Sequence, residues 1–312
     1  MVNVKKVAII GCGFVGSSIA FSLIQSGLFF EMVLIDNNKA KAEGEAMDLS
    51  HGLAYTGSMN VYAGEYKDLK DAAIIIITAG ANQKPGETRL DLIKKNSAIM
   101  KSIIGEINKV NIEGMLLIVS NPVDILTHVA LTESKLPKNR VIGSGTVLDT
   151  ARLKYLISEH LHVDTRNVHG LIMGEHGDSE FAAWSITNIS GVPLNEFCEI
   201  RGFKDHKAGM QKIYEEVRDA AYKIIERKGA TYYGIAIAVG HICKSIVNNL
   251  HTMMTVSTLL EGEYGLEGLC LSVPTIIGIN GVEKVLEIKL SEEERTQLHT
   301  SASALKNIIE TL

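Results

Sequence analysis

The pentapeptide Gly174-Glu175-His176-Gly177-Asp178 sets an imidazole between two glycines, just after the largely apolar run Val168 to Met173. A histidine presented in this way can approach a bound molecule closely, and with an ordinary pKa of about 6.5 it can give or take a proton near neutrality. Taken alone, these five residues also fit an ordinary polar turn. Asp149 and Arg152 lie three apart in Leu148-Asp149-Thr150-Ala151-Arg152-Leu153, so both project from one face of a helix that runs to about Leu161. A surface ion pair would explain that spacing. The functional alternative divides the labour, with Asp149 holding the histidine ring and Arg152 offering a planar fork to a carboxylate. Arg89 ends the polar loop that starts at Gly80, and such a loop can close over a site and carry the guanidinium inward. Asn121, in Ser120-Asn121-Pro122, is placed to hydrogen-bond a ligand oxygen unless it forms only an Asn-Pro turn.

The elements that must position these residues follow from periodicity. Val7 to Ile10 is a continuous apolar run ending at Gly11-Cys12-Gly13-Phe14-Val15-Gly16, after which Ile19, Ala20, Leu23 and Ile24 recur at helical spacing. Strand, glycine turn and helix in that order let a backbone reach a pyrophosphate at the helix N-terminus. A second apolar run, Met32 to Ile35, ends at Asp36, about 20 residues beyond the last glycine, where a carboxylate suits an adenosine ribose. Asn37 and Asn38 follow with no arginine for a 2′-phosphate, which favours NAD over NADP. A strand-end or helix-cap role is the plainer alternative for Asp36.

Further strands are expected at Asn60 to Ala63, Ala73 to Ile77, Met115 to Val119 and Val141-Ile142, with helices near 38–54, 91–110 and 124–134. Strands alternating with helices imply an α/β fold with a doubly wound parallel sheet, binding ligands at the strands' carboxyl ends. Beyond it, Ile213 to Arg227 and Ile235 to Val247 read as amphipathic helices, and Met253 to Leu260 and Leu269 to Ile277 as strands of a second lobe. Ser291 opens a final helix with Leu298, Leu305 and Ile308 inward. The division expected is a dinucleotide-binding domain over 1–144 and an α+β substrate and catalytic domain over 145–312.

Composition sets outer bounds. The 312 residues are 46 % hydrophobic and 21 % charged, with formal net charge −5, which offers no basic field to nucleic acid or an anionic membrane. Cys12, Cys198, Cys243 and Cys270 are far apart and form no Cys-x-x-Cys pair, so a reducing cytoplasm fits them and no metal is expected. Three glycines interrupt the apolar run after Lys5-Lys6, which argues against a signal peptide. No apolar stretch reaches transmembrane length, and neither a zinc-type His-Glu-x-x-His nor an internal repeat is present. Trp184, His160 and His162 read as structural or solvated.

Together, the glycine motif with Asp36, the loop from Asn82 to Arg89, Ser120-Asn121-Pro122, Leu148 to Arg152, Gly174 to Asp178 and Lys228-Gly229-Ala230-Thr231-Tyr232-Tyr233-Gly234 resemble the L-lactate dehydrogenases of the lactate and malate dehydrogenase superfamily. They do so in the family's order and spacing over essentially the whole chain. The resemblance implies reversible hydride transfer between NADH and pyruvate, giving lactate and NAD. It gives His176 the role of general acid and base, Asp149 that of its partner, and Arg152 the substrate carboxylate. Arg89 would polarise the carbonyl, and Asn121 would assist in positioning. Gly11, Gly13, Phe14, Val15, Gly16, Asp36, Gly80, Ala81, Ser120, Asn121 and Ile235 would line the cofactor, with Ile235 as the apolar wall beside the nicotinamide.

In this family the position of Gln83 is usually Gln in lactate enzymes and Arg in malate enzymes. Gln83 leaves the second carboxylate of oxaloacetate without a charged partner, although neighbouring Lys84 is a mobile cation, and Thr231 suits a small side chain. A malate dehydrogenase, an enzyme for bulkier 2-oxo acids and a non-catalytic NAD-binding sensor are the alternatives. The few residues before the first strand resemble bacterial rather than vertebrate members. Some bacterial members are activated by fructose 1,6-bisphosphate between subunits, and Lys154 and His169 occupy the corresponding positions, with Lys154 standing where activated members usually carry Arg. The resemblance also implies a homotetramer.

Overall fold

A computed structural model gives the structure of the protein and describes residues 3–82, 86, 88–203 and 206–312. The amino-terminal half alternates β1 (Asn3–Ile10), α1 (Phe14–Ser26), β2 (Glu31–Ile35), α2 (Lys39–His51), β3 (Asn60–Ala63), β4 (Ala72–Ile77), α3 (Arg89–Val110), β5 (Met115–Ile118), α4 (Val123–Glu133) and β6 (Val141–Gly143). These six strands pair in parallel in the order β6-β5-β4-β1-β2-β3, with β1 central and the chain winding outward both ways from it. Helices cover both faces, so the central strands are apolar throughout: Ile74, Ile75, Ile76 and Ile77 have no solvent exposure. This is a Rossmann sheet, as the alternation predicts.

The second half begins with α5 (Val147–Leu161) and passes through five two-residue strands, β7 (Val168–His169), β8 (Ile172–Met173), β9 (Phe181–Ala182), β10 (Asn188–Ile189) and β11 (Val192–Pro193). Then come α6 (Leu194–Ile200), α7 (His206–Lys228), α8 (Tyr233–Val247), β12 (Thr252–Glu261), β13 (Glu267–Gly278), β14 (Gly281–Val285) and α9 (Glu292–Ile309). Ser291 caps α9 by a reciprocal box with Glu294, and Gly229 at φ +83° follows α7, both where the sequence puts them.

The long strands β12 and β13 fall where the sequence puts them, in the second half, but the sheet that they join is that of the first. They pair antiparallel with each other, and β12 joins the open edge of β6 through Ser257 opposite Gly143, which extends the described sheet to nine strands. β6 is only three residues long and fully buried, so its outer hydrogen-bonding edge must be covered, and β12 covers it. Apolar alternation identifies a strand but not the edge it will join. Among the described residues no helix is long and apolar enough to cross a membrane.

Candidate active site

Strand ends build the floor of the first site. Gly11 holds φ +104°, and a Cβ there would stand 2.6 Å from the Ala79 backbone nitrogen; a Cβ on Gly16 would strike the Gly11 carbonyl. The turn is therefore packed against the end of β4. Gly13, by contrast, faces open space and caps α1 without a side chain, so the helix's first N–H groups border a cradle that no side chain crowds. Asp36 fixes the turn from the end of β2: its Oδ2 accepts from the Cys12 N–H at 2.7 Å and its Oδ1 from the Asn38 N–H at 2.9 Å. A glycine cradle beside a carboxylate that holds no cation among the described residues fits a dinucleotide with a free ribose hydroxyl. Phe14 is exposed and stacks on Tyr232 at 5.4 Å, while Val15 and Ile235 pack against the core cluster beneath.

Gly80 and Ala81 leave β4 along the same rim, and the Ala81 N–H donates to the Asn96 side chain at 2.8 Å. Asn96 also donates to the Asn121 carbonyl at 3.0 Å, so one buried amide on α3 joins the turns that follow two strands. Ser120 spends its hydroxyl on the Ala79 carbonyl at 2.7 Å, which assigns it to holding the strand ends together. Gln83 lies outside the described residues.

The second site is a cavity of about 350 Å³ lined by Arg89, Asn121, Asp149, Arg152, His176 and Glu180, among others. The three residues singled out first meet there. His176 Nδ1 lies 2.6 Å from Asp149 Oδ2, and Arg152 donates to Asp149 Oδ1 at 2.8 Å. Asp149 is 2 % exposed and His176 24 %, so the carboxylate is sealed while the ring keeps one edge toward the cavity. The spacing on α5 thus serves a buried triad and is not a solvated ion pair.

Electrostatics follow from that burial. Desolvation alone would pull the imidazole down, but the charge and hydrogen bond of Asp149, with Glu180 and Asp124 behind it, raise His176 to about 9. Burial pushes Asp149 upward, yet His176 and Arg152 hold it below its ordinary value. Asp149 also fixes the ring orientation, leaving Nε2 for the cavity.

The histidine loop is pinned by residues that the sequence analysis missed. The His176 N–H donates to Asp124 Oδ2 at 2.8 Å, and the Ser272 hydroxyl on β13 donates to Asp124 Oδ1 at 3.1 Å. Asp124 is buried, and burial pushes its carboxyl upward. Glu175 donates its N–H to the Ser301 hydroxyl on α9 at 2.7 Å, and Gly174 bridges to Ser272 of β13. An acidic residue in the first turn of α4 is the only local signal for Asp124, and it reads equally as helix-dipole complementation.

Arg89 differs from its expected setting. It is the first residue of α3, behind the capping box of Thr88 and Asp91, so a helix holds it and not the loop. The Thr-x-x-Asp spacing carries that signal, and the expected start at 91 overlooks it. Arg89 donates to Asp178 at 2.9 Å and Glu175 at 3.4 Å, and the Tyr222 hydroxyl of α7 donates to Asp178 at 3.1 Å. Thr231 is half-buried ahead of α8 and is not among the residues lining the cavity.

Lys154 and His169 do not line one cavity among the described residues. Lys154 lines a separate cavity of about 630 Å³ with Tyr155, His241 and Met254, and burial lowers its pKa; His169 is exposed on β7. Asp149, His176 and Glu180 are the described residues that most resemble a metal-ligand group, each offering an atom within 4.8 Å of the others. Arg152 already places a cation on the shared carboxylate, and the ring Nδ1 is taken by Asp149, which leaves an arrangement able to give and take a proton.

The sequence model of the lactate/malate dehydrogenase NAD binding domain matches residues 5–143, and that of the family's alpha/beta C-terminal domain matches 146–312. An L-lactate dehydrogenase of Acetivibrio thermocellus is 54 % identical over 309 residues, covering 99 % of this chain and 98 % of that protein. L-lactate dehydrogenase 1 of Clostridium acetobutylicum is 53 % identical, with 98 % of each covered. The crystal structure of minor L-lactate dehydrogenase from Enterococcus mundtii in its ligands-bound form superposes with a TM-score of 0.95 at 46 % identity, covering 99 % of this chain and 98 % of that one. With both halves of its length matched, NAD as the cofactor of the first, and relatives more than half identical from end to end, the chain belongs to the lactate/malate dehydrogenase family.

Proposed function

We propose that the protein is an NAD-dependent L-lactate dehydrogenase that reduces pyruvate to (S)-lactate and catalyses the reverse oxidation. The observation that carries this reading is the buried Asp149 holding both Arg152 and His176 at one cavity, beside a glycine cradle that fits a dinucleotide. Bound nicotinamide supplies or accepts the hydride. Arg152 binds the substrate carboxylate by its fork and so orients the 2-oxo group. His176, charged at neutral pH, donates a proton to the keto oxygen through the ring nitrogen not held by Asp149, and recovers it in the reverse direction. Arg89 leaves Asp178 and Glu175 to meet the negative charge developing on that oxygen. Asn121 and Thr231 position the substrate, Gly80, Ala81 and Ser120 shape the rim of the cofactor groove, and Gln83 refuses a second carboxylate. The relatives' names favour lactate over malate in the same sense. A cytoplasmic homotetramer, with the domains meeting near residue 144, completes the reading.

NADH oxidation with pyruvate, oxaloacetate and a branched 2-oxo acid at matched concentrations tests the assignment. Pyruvate is expected to be preferred by about a hundredfold, since an unpaired second carboxylate costs several kcal/mol to bury. Preference for oxaloacetate would transfer the protein to the malate branch, and no turnover would favour a sensor. The same assay with fructose 1,6-bisphosphate at subsaturating pyruvate tests Lys154 and His169 as its subunit-interface ligands: activation is expected, and unchanged turnover at every pH removes that role.

A further inference from the structure

Glu180 has no role in the mechanism above, yet it is one of the most deeply buried charged side chains, at 3 % exposure. Its backbone is fixed on both sides: the Tyr214 hydroxyl of α7 donates to its carbonyl, and its N–H donates to the Gly177 carbonyl at 3.2 Å. Its carboxyl lies against Asp149 and His176 and lines the cavity, and Oε1 is buried with no hydrogen-bond partner among the described residues. The charged and titratable groups around it are all committed elsewhere. On α5, Arg152 donates to Asp149; at the start of α3, Arg89 donates to Asp178 and Glu175; on α7, Arg218 donates to Asp219 at 2.9 Å. His176, in its own loop, is held by Asp149 and by Asp124 of α4.

Two buried carboxyls this close cannot both ionise, and the proton goes to the one with fewer cations. Asp149 has two cationic partners and Glu180 has none among the described residues. Burial first, and the charge of Asp149 second, push Glu180 up to about 9, while Asp149 moves down.

We propose that Glu180 stands as a neutral carboxylic acid at physiological pH, donates a hydrogen bond to Asp149, and acts through Asp149 as a positioning residue for His176. The inference rests on the reading of His176 and Asp149 as the proton-transfer pair. Its consequence is electrostatic. With Glu180 neutral, the imidazolium and Arg152 outweigh Asp149 by one positive charge, which a 2-oxo acid carboxylate then cancels. An ionised Glu180 would erase that excess and repel the substrate.

The direct test is infrared spectroscopy of the wild-type enzyme and Glu180→Gln at pH 7. A protonated-carboxyl C=O band present in wild type and missing from the variant is expected; a difference confined to ionised-carboxylate bands overturns the proposal. This readout does not depend on which residue donates the proton in turnover, so it fails separately from the functional reading. Kinetics supply the second arm. Glu180→Leu removes the donor, leaves Asp149 more basic, and is expected to move the alkaline limb of kcat/KM for pyruvate upward. It should also lose about tenfold in kcat/KM, the worth of one hydrogen bond to a charged group. Glu180→Gln keeps a donor without a titrating proton and should recover most of that loss. An acid-shifted limb in Glu180→Gln would mean that an anion had been removed, and a wild-type profile in Glu180→Leu would mean that the side chain only fills space. Either outcome overturns the role.

Discussion

The glycine turn and the histidine cavity stand at opposite extremes of how a chain builds a site. The turn works by leaving side chains out: Gly11 and Gly16 admit close backbone contact, Gly13 leaves open space, and the donors are main-chain N–H groups. The cavity works by sealing ionisable groups in, with Asp149, Asp124 and Glu180 all buried and gathered from α5, α4 and the histidine loop. A site of the first kind fails through steric collision, whereas one of the second kind fails through altered protonation. Each kind should therefore be breakable without the other.

The largest effects separate the two outright. His176→Ala is expected to cut turnover by about 10⁴-fold, the upper range for a general acid, while NADH binding measured by fluorescence titration stays close to wild type. Gly16→Ala should do the reverse at the first step, abolishing measurable NADH binding because its Cβ meets the Gly11 carbonyl. Persistence of NADH binding in Gly16→Ala would break the contrast, as would loss of binding in His176→Ala.

A smaller change probes charge alone. Asp149→Asn keeps the shape and removes the anion that holds the imidazole at about 9, so burial then draws His176 below its ordinary 6.5. On the proposed mechanism, pyruvate reduction needs the imidazolium. In wild type, kcat/KM should hold steady and then fall as pH rises through about 9; in Asp149→Asn the fall should begin below pH 7, with a loss of about 10² to 10³ at neutrality. An unmoved limb would detach Asp149 from the proton donor.

The smallest effect is on stability. His176 has a higher pKa folded than unfolded, so its contribution is fully present below pH 6.5 and is lost as pH rises through about 9. Urea midpoints of the wild type should decline across that window, and His176→Gln should flatten the decline by on the order of 2 kcal/mol, allowing for the ring's open edge. Parallel declines in the two proteins would place the titration elsewhere.

The same contrast explains what could be read before the structure. The glycine turn and Asp36 are legible because their parts are close in sequence and their spacing has one geometric use. His176, Asp149, Arg152 and Arg89 are legible as residue types in unusual settings. The residues that support them are not: Asp124 is 52 positions from His176 and 148 from Ser272, and nothing near it announces either partner. Asn96 looks like any polar residue of an amphipathic helix until the turns after β4 and β5 converge on it. Glu180 sits in plain view two residues after Asp178, but its meaning depends on which neighbour takes the cations, and only packing decides that. The joining of β12 to β6 was hidden for the same reason, since a strand's pattern does not name its partner.

That seam has a practical consequence for anyone who would take the protein apart. Severing the chain near residue 144 would not release two tidy modules, because the cut removes the cover from β6 and bares the outer edge of a wide apolar sheet. The amino-terminal piece would carry an adhesive margin of unmatched N–H and C=O groups, ready to recruit any extended strand it met. Half-length fragments should precipitate or cross-pair, and chimaeras between relatives should tolerate a junction inside a surface loop far better than one at the boundary between the halves.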